Sequence, residues 1–154
     1  MIKSLKKNKT SYLKNKIVNT LMKSGRKTTG EKILLKSLKS LQKSNGKNFK
    51  TLLHSAIVNS SSAFKVNEQA VKKGKRKATK TTLSFITSDS LRVTTALKLL
   101  TRISRKSKDS SFLYKKLGAE ILSCSTSKSQ SIDQKNEIQR KALVNKRYLS
   151  KFRW

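Results

Sequence analysis

The sequence predicts a mainly α-helical domain: about six helices in a compact bundle, with one β-hairpin protruding at about residues 64–87. Apolar residues recur every three or four positions through most of the chain, the spacing that lays them along one face of a helix. Strict alternation of apolar and polar residues is confined to one stretch, where threonines add strand preference. Turn signals at Gly25, Asn45-Gly46 and Ser60-Ser61-Ser62 separate the helical stripes.

Residues 1–10 hold Lys3, Lys6, Lys7 and Lys9 with little apolar content, so they read as a basic arm that orders on binding. Residues 11–154 read as a single helical domain. Leu13, Ile17, Val18, Leu21 and Met22 mark the first helix, and Gly25 can take the left-handed conformation that closes it. Thr28 stands three residues before Glu31, the order of a capping box for the second helix. Ile33, Leu34, Leu35, Leu38 and Leu41 carry that helix's stripe, and the short link makes the pair antiparallel. Arg26 and Lys27 then stand on a tight turn and face outward.

Asn45-Gly46 stops the second helix, and Phe49, Leu52, Leu53, Ala56 and Ile57 mark a third, ending near Asn59. His54 lies on it as a surface or partly buried imidazole. Phe64 and Val66 flank Lys65, and Leu83 and Phe85 flank Ser84, as strands joined through Gly74. Ser88-Asp89-Ser90 caps a fourth helix that turns Val93, Ala96, Leu97, Leu100 and Ile103 inward. Asp109 starts a fifth, with Phe112, Leu113, Leu117 and Ile121 inward, and residues 123–131 read as a polar linker in which Cys124 is incidental. A last helix from about Asp133 carries Ile138, Ala142, Leu143 and either Tyr148 or Leu149.

Charge sets the functional class. The 154 residues hold 38 Lys plus Arg against 7 Asp plus Glu, a net charge of +31. Spread over the roughly 7,900 Å² of a compact chain this size, net charges would lie about 16 Å apart, beyond the ~8 Å Debye length at physiological salt. Clusters therefore matter more than the total, and six of the nine positions 72–80 are Lys or Arg. Such a chain gains by meeting a polyanion. Four of the few acids, Glu31, Asp89, Asp109 and Asp133, stand where helices begin and complement the helix dipole.

Catalytic chemistry has no constellation to rest on. One cysteine excludes an internal disulfide and a multi-cysteine zinc site; a lone His54 without a placed carboxylate makes no triad; no phosphate loop or dinucleotide fingerprint exists. The reading is a non-enzyme without cofactor or metal. No run of about 18 apolar residues predicts a membrane span. Residues 1–16 are basic and free of acids, as transit peptides are, but a basic tail on nucleic acid fits the immediate start of the first helix better.

Phosphate binding without catalysis remains. The arm (Lys3, Lys6, Lys7, Lys9), the turn (Arg26, Lys27), the hairpin tip (Lys72, Lys73, Lys75, Arg76, Lys77, Lys80) and the fourth helix (Arg92, Arg102, Arg105, Lys106, with Lys98) could each neutralise phosphates. Helix N-termini at Thr28 and Asp89 offer further N–H groups. No aromatic residue interleaves with the basic tip, which argues against a single-strand stacking platform and for reading a folded nucleic acid by shape and charge. Lysines outnumber arginines 30 to 8, favouring point charges over bidentate forks. Charge alone leaves open a DNA-compacting protein, which a basic-tipped ribbon also suits, and a basic amphipathic protein on anionic membrane.

Dispersed motifs decide among these. Gly25-Arg26-Lys27-Thr28-Thr29-Gly30-Glu31 resembles the Gly-Lys-Lys-Ser-Thr-Ala-Glu loop of the small-subunit ribosomal protein seven family, and Ile17 to Met22 resembles the stretch before it. Arg105-Lys106-Ser107-Lys108-Asp109 is similar to the family's basic turn, Asn145-Lys146-Arg147-Tyr148 to its Asn-Lys-Ala-Phe, and Phe152-Arg153-Trp154 to its Tyr-Arg-Trp. The register holds from roughly Ser11 to Trp154. The family's proline before the hairpin is absent, Gly74 alone stands for its tip glycine pair, and Gly30 replaces Ala.

The resemblance implies the family's fold and a role in the small ribosomal subunit. It implies binding to the 3′ major domain of small-subunit ribosomal RNA and nucleation of head assembly. It places neighbouring head and platform proteins as partners, the platform protein known as number eleven among them, with the exit-site transfer RNA and the messenger path nearby and no membrane. Arg26 and Lys27 match the family's RNA-contacting loop, Lys72 to Lys80 its hairpin arm, and the helix around Arg92, Arg102 and Arg105 a third RNA-facing element. The bias to lysine, serine and asparagine without proline suggests an AT-rich coding sequence, which favours an organellar, mitochondrial ribosome over a plastid or bacterial one.

Overall fold

Leu13, Ile17, Val18 and Leu21 share one side of the first helix, and the molecule's core begins there. The computed structural model describes the backbone of residues 2–45, 48–73 and 76–144, and the side chains of 12–43, 48–66 and 84–144. Helix α1 runs Ile2–Leu21, so it starts well before the apolar stripe that predicts it. Residues 2–10 contain neither glycine nor proline, and their lysines and leucine are good helix formers, so the helix propagates back through the basic arm. Ser24 and Gly25 then take positive φ, 51° and 75°, and turn the chain.

Helix α2, Lys27–Asn45, starts one residue before Thr28. Thr28 therefore sits inside the first turn, and the expected capping box with Glu31 does not form the helix start. Ser37 and Leu41 are fully buried and Leu34 nearly so, whereas Leu35, inward by its apolar pattern, is 54% exposed. Successive residues lie about 100° apart round an α-helix, so a buried face running through Leu34, Ser37 and Leu41 leaves Leu35 outside it. Gly30 lies against α1: a Cβ there would come within 3.3 Å of the Val18 carbonyl oxygen, so glycine lets the two backbones approach.

Helix α3, Phe49–Ser60, is capped by Asn48, whose side chain accepts from the Lys50 amide. Strands β1 (Phe64–Lys73) and β2 (Arg76–Phe85) pair antiparallel in unbroken register from Phe64↔Phe85 to Lys73↔Arg76. At about 3.3 Å per residue each strand extends roughly 33 Å. Helix α4 spans Asp89–Lys106, α5 Leu113–Ser125 and α6 Gln130–Val144. The described residues thus form six helices and one two-stranded ribbon.

The core joins five helices. Ile17, Val18 and Leu21 of α1 meet Leu34 and Leu41 of α2, Leu53 and Ala56 of α3, Leu97 and Leu100 of α4, and Leu117, Ile121 and Cys124 of α5. Three expectations in the last third are corrected. Helix α5 begins at Leu113 rather than at Asp109, and Phe112, expected inward, is 72% exposed. The linker shrinks to 126–129, because α5 runs on until Cys124 is fully buried, donating to the Ala56 carbonyl oxygen at 3.3 Å. Helix α6 begins at Gln130, Ala142 is buried beside Phe64 and Val66 at the ribbon's root, and Leu143 is 72% exposed. Glu120 explains the early start of α6: it accepts from the Ser131 amide and hydroxyl, a cap supplied by another helix. Tyr148, Leu149 and the motifs at 145–148 and 152–154 lie outside the described residues.

Candidate nucleic-acid interface

Two clefts carry cations from separate parts of the sequence, and the exposed side of α4 joins them. The first, of about 560 Å³, is lined by Leu21, Lys23, Ser24, Arg26, Thr29, Gly30, Ile33, Arg105 and Leu113. The left-handed pair Ser24 and Gly25 creates it by bending the chain so that Lys23 and Arg26 flank the turn; the Arg26 amide donates to the Lys23 carbonyl and the Lys27 amide to that of Gly25. Arg105 enters from the far end of α4, its Nη2 donating to the Leu21 carbonyl oxygen at 2.9 Å. That oxygen is one of the orphan acceptors at the C-terminus of α1, where a cation also complements the helix dipole.

The second cleft, of about 490 Å³, lies between the ribbon's root, α4 and α6. Phe64, Val66, Leu99 and Ile138 give it an apolar lining, and Lys65, Lys98, Arg102 and Lys141 bring charge. Lys98, Arg102 and Arg105 are all exposed, and their i, i+4, i+7 spacing puts them on one side of α4. At 1.5 Å per residue they span about 10 Å of helix, and both clefts open onto that run. With 7 acids against 38 cations, most of this charge has no internal partner available to it.

Arg92 does different work. Its Nε donates to the Ile86 carbonyl oxygen at 3.0 Å, its guanidinium lies 5.4 Å from the Phe85 ring centroid, and Nη1 is 3.8 Å from Asp89. It ties the end of β2 to the start of α4 and so fixes the ribbon's root. A second brace joins α1 to α4: Lys16 donates to the Ser90 carbonyl and hydroxyl oxygens at 2.9 and 2.6 Å, and the Tyr12 hydroxyl lies 3.0 Å from the Ser90 hydroxyl. The hydrogen bonds from Lys16 and then Ser90 favour the phenolate and lower the Tyr12 pKa.

Of the cations expected from sequence, Arg26, Lys98, Arg102 and Arg105 line the clefts, while Lys27 and Lys106 are exposed at helix ends, each next in sequence to a residue that lines the first. On the ribbon, Lys72 pairs with Lys77, Lys73 with Arg76, and Lys80 with Gln69. Lys3, Lys6, Lys7 and Lys9 fall on the helical backbone of α1. Lys75 lies outside the described residues. Lys23, Lys65 and Lys141 carry no signal in the sequence that marks them as site residues. Lys23 and Lys65 stand between uncharged neighbours, Lys141 has an acid one turn before it, and only the fold brings them to a cleft. Glu137 holds Lys141 at 2.7 Å, and that hydrogen bond lowers the Glu137 pKa.

Among the described residues no three His, Cys, Asp or Glu side chains gather where they could hold a metal ion. No helix among them is long and apolar enough to cross a membrane.

Comparison with known proteins gives one consistent result. Residues 2–146 match the model of the family described as ribosomal protein S7p/S5e. The chain is 28% identical over 144 residues to the small ribosomal subunit protein uS7 of Vibrio campbellii, covering 94% of this chain and 88% of that protein. It is 27% identical over 139 residues to the protein of the same name from Baumannia cicadellinicola, covering 90% and 85%. The uS7 protein of Vibrio atlanticus matches at 28% over 144 residues, covering 94% and 88%.

Proposed function

The chain belongs to the ribosomal protein S7p/S5e family, and from that premise we propose that the cationic face along α4 holds the 3′ major domain of small-subunit ribosomal RNA. The chain is a structural component of the small ribosomal subunit. The observation that carries the finer reading is the union of Lys23, Arg26 and Arg105 in one cleft with Lys65, Lys98 and Arg102 in the next.

The binding works by neutralisation and shape. Each cation that meets a phosphate releases condensed counterions, and a helical body holds those cations at fixed separations, so a folded RNA is favoured over a random polyanion. Arg105 is held by the Leu21 carbonyl and loses less freedom when it meets an anion. The ribbon extends the charged surface beyond the body, toward the exit-site transfer RNA and messenger path, while the helical body nucleates head assembly beside head and platform proteins, protein eleven included. The resemblance of Arg26 and Lys27, of Lys72 to Lys80 and of the helix around Arg92, Arg102 and Arg105 to the family's RNA-facing elements supports this placement. The lysine, serine and asparagine bias without proline supports an organellar, mitochondrial ribosome, which a map of the intact particle tests.

The test of the RNA reading is a titration of the full chain against small-subunit head RNA and random duplex DNA across a salt series. Affinity for head RNA falls by roughly 0.7 to 0.9 logarithmic units per phosphate neutralised and per tenfold salt, and stays above that for DNA at every salt. Equal affinity for the two would overturn the placement in favour of general nucleic-acid compaction.

A further inference from the structure

Phe112 and Tyr114 stand at the start of α5 with their rings nearly parallel, 16° apart, and their centroids 5.8 Å from one another. Phe112 is 72% exposed. The Lys36 ammonium lies 5.9 Å from the Tyr114 centroid, so the pair is braced from α2. An aromatic ring of this exposure, buttressed by a second ring, presents a flat apolar face of the size of a nucleobase.

Its surroundings select an anionic partner. Phe112 is the N-cap residue of α5 and has no side-chain oxygen with which to cap it, so the helix's positive dipole end stands beside the ring without a side-chain cap. The next residue, Leu113, lines the first cationic cleft together with Lys23, Arg26 and Arg105. The Asp109 carboxylate is nearby in sequence and accepts from the Ser107 hydroxyl at 2.8 Å, which turns part of its charge to the loop. The ring thus belongs to the N-cap residue of α5, and the first residue of that helix lines the cationic cleft.

We propose that Phe112, backed by Tyr114, stacks against an unpaired base of the ribosomal RNA whose backbone phosphates occupy the adjoining cleft. This rests on the RNA-binding reading above and adds to it an interaction that charge alone does not provide: a stack selects an unpaired nucleotide over a closed duplex. A base on an aromatic side chain contributes affinity without neutralising a phosphate, so its removal lowers affinity and leaves the salt slope alone.

The experiment uses the full chain, purified head RNA, and the variants Phe112→Ala and Phe112→Trp. Circular dichroism melts check folding, which the exposed ring does not support. Phe112→Ala binds about 5- to 150-fold more weakly at every salt with unchanged slope. Phe112→Trp retains affinity, and in a Trp154→Phe background its indole emission is quenched as RNA is added. Parent-like binding by Phe112→Ala, or emission indifferent to RNA, overturns the proposal while leaving the RNA-binding reading intact. Normal RNA binding with poor entry of Phe112→Ala into reconstituted subunits also overturns it, assigning the ring to a protein neighbour. Failure of the parent chain to prefer head RNA over duplex DNA removes the underlying reading instead.

Discussion

Arg105, near the end of α4, donates from Nη2 to the carbonyl oxygen of Leu21, the last residue of α1, across 84 positions of sequence at 2.9 Å. One guanidinium thus closes a helix and lines a cleft. Arginine suits both roles because its planar fork has donors left after the first is taken.

Replacing Arg105 should therefore move stability and binding together. Arg105→Ala removes a helix-terminal cation and its hydrogen bond, about 1 kcal/mol at this exposed position, and its RNA salt slope shrinks by about one unit. Arg105→Lys keeps the charge and the slope but not the fork. Denaturant melts and salt titrations on both variants check this; an unchanged slope in Arg105→Ala would mean that no phosphate reaches the cleft there.

Leu41 tests the helical packing. It is 2% exposed, and its Cγ lies 3.5 Å from where a Cβ on Gly118 of α5 would stand. Leu41→Ala should destabilise by about 2–5 kcal/mol. Leu35→Ala, on the exposed side of the same helix, should stay within about 0.5 kcal/mol. Leu38 is half-buried and falls between them. Equal effects at Leu41 and Leu35 would show that α2 presents the wrong face to α5.

The ribbon separates charge from fold. In the backbone register Lys72 is the partner of Lys77 and Lys73 that of Arg76. Replacing Lys72, Lys73, Lys75, Arg76, Lys77 and Lys80 with Gln should leave the melting temperature unchanged or slightly higher. Head-RNA binding should weaken, with a slope smaller by about one unit for each phosphate that the tip no longer neutralises. A parallel assay of exit-site transfer-RNA occupancy in assembled subunits reads the ribbon's second role; unchanged binding, slope and occupancy would reduce the tip to a solvated run of charge.

Cys124 predicts a pH dependence. Burial raises its pKa by disfavouring the thiolate. A raised folded pKa means that the unfolded chain gives up the proton first, so the contribution to stability is complete below the unfolded thiol's pKa of about 8.5 and is lost as pH climbs from there toward the folded value. Melts from pH 7 to 10 should fall more steeply for the parent than for Cys124→Ala, and a thiol reagent should label the native protein slowly. Parallel pH profiles would contradict the burial.

Much of the fold is legible in local pattern. Apolar spacing locates six helices, and alternation locates the ribbon, because those periods are the geometry of helix and strand themselves. The departures share a cause. Leu35 and Phe112 point inward by pattern because they are apolar, but the face that a helix buries is set by what packs on it. Ser37 gives no core signal because it is polar in type, and Cys124, a small hydrophobe, is masked by the serines around it, yet close helix packing favours small residues. Thr28 has the chemistry of a cap, and the turn through Ser24 and Gly25 starts the helix before it.

By itself the sequence determined the charge and the elements that carry it: charge of one sign in clusters is a property of the chain, and helix and ribbon follow from short-range spacing. Only the tertiary structure decided which cations share a cleft. Lys23, Arg26 and Arg105 meet because α4 brings its far end back beside the end of α1, and Lys65, Lys98 and Arg102 meet because the ribbon's root packs beside α4 and α6. Such meetings depend on packing between residues tens of positions apart, which no local period encodes, and the same packing left Phe112 outside the core, one residue before the cleft-lining Leu113.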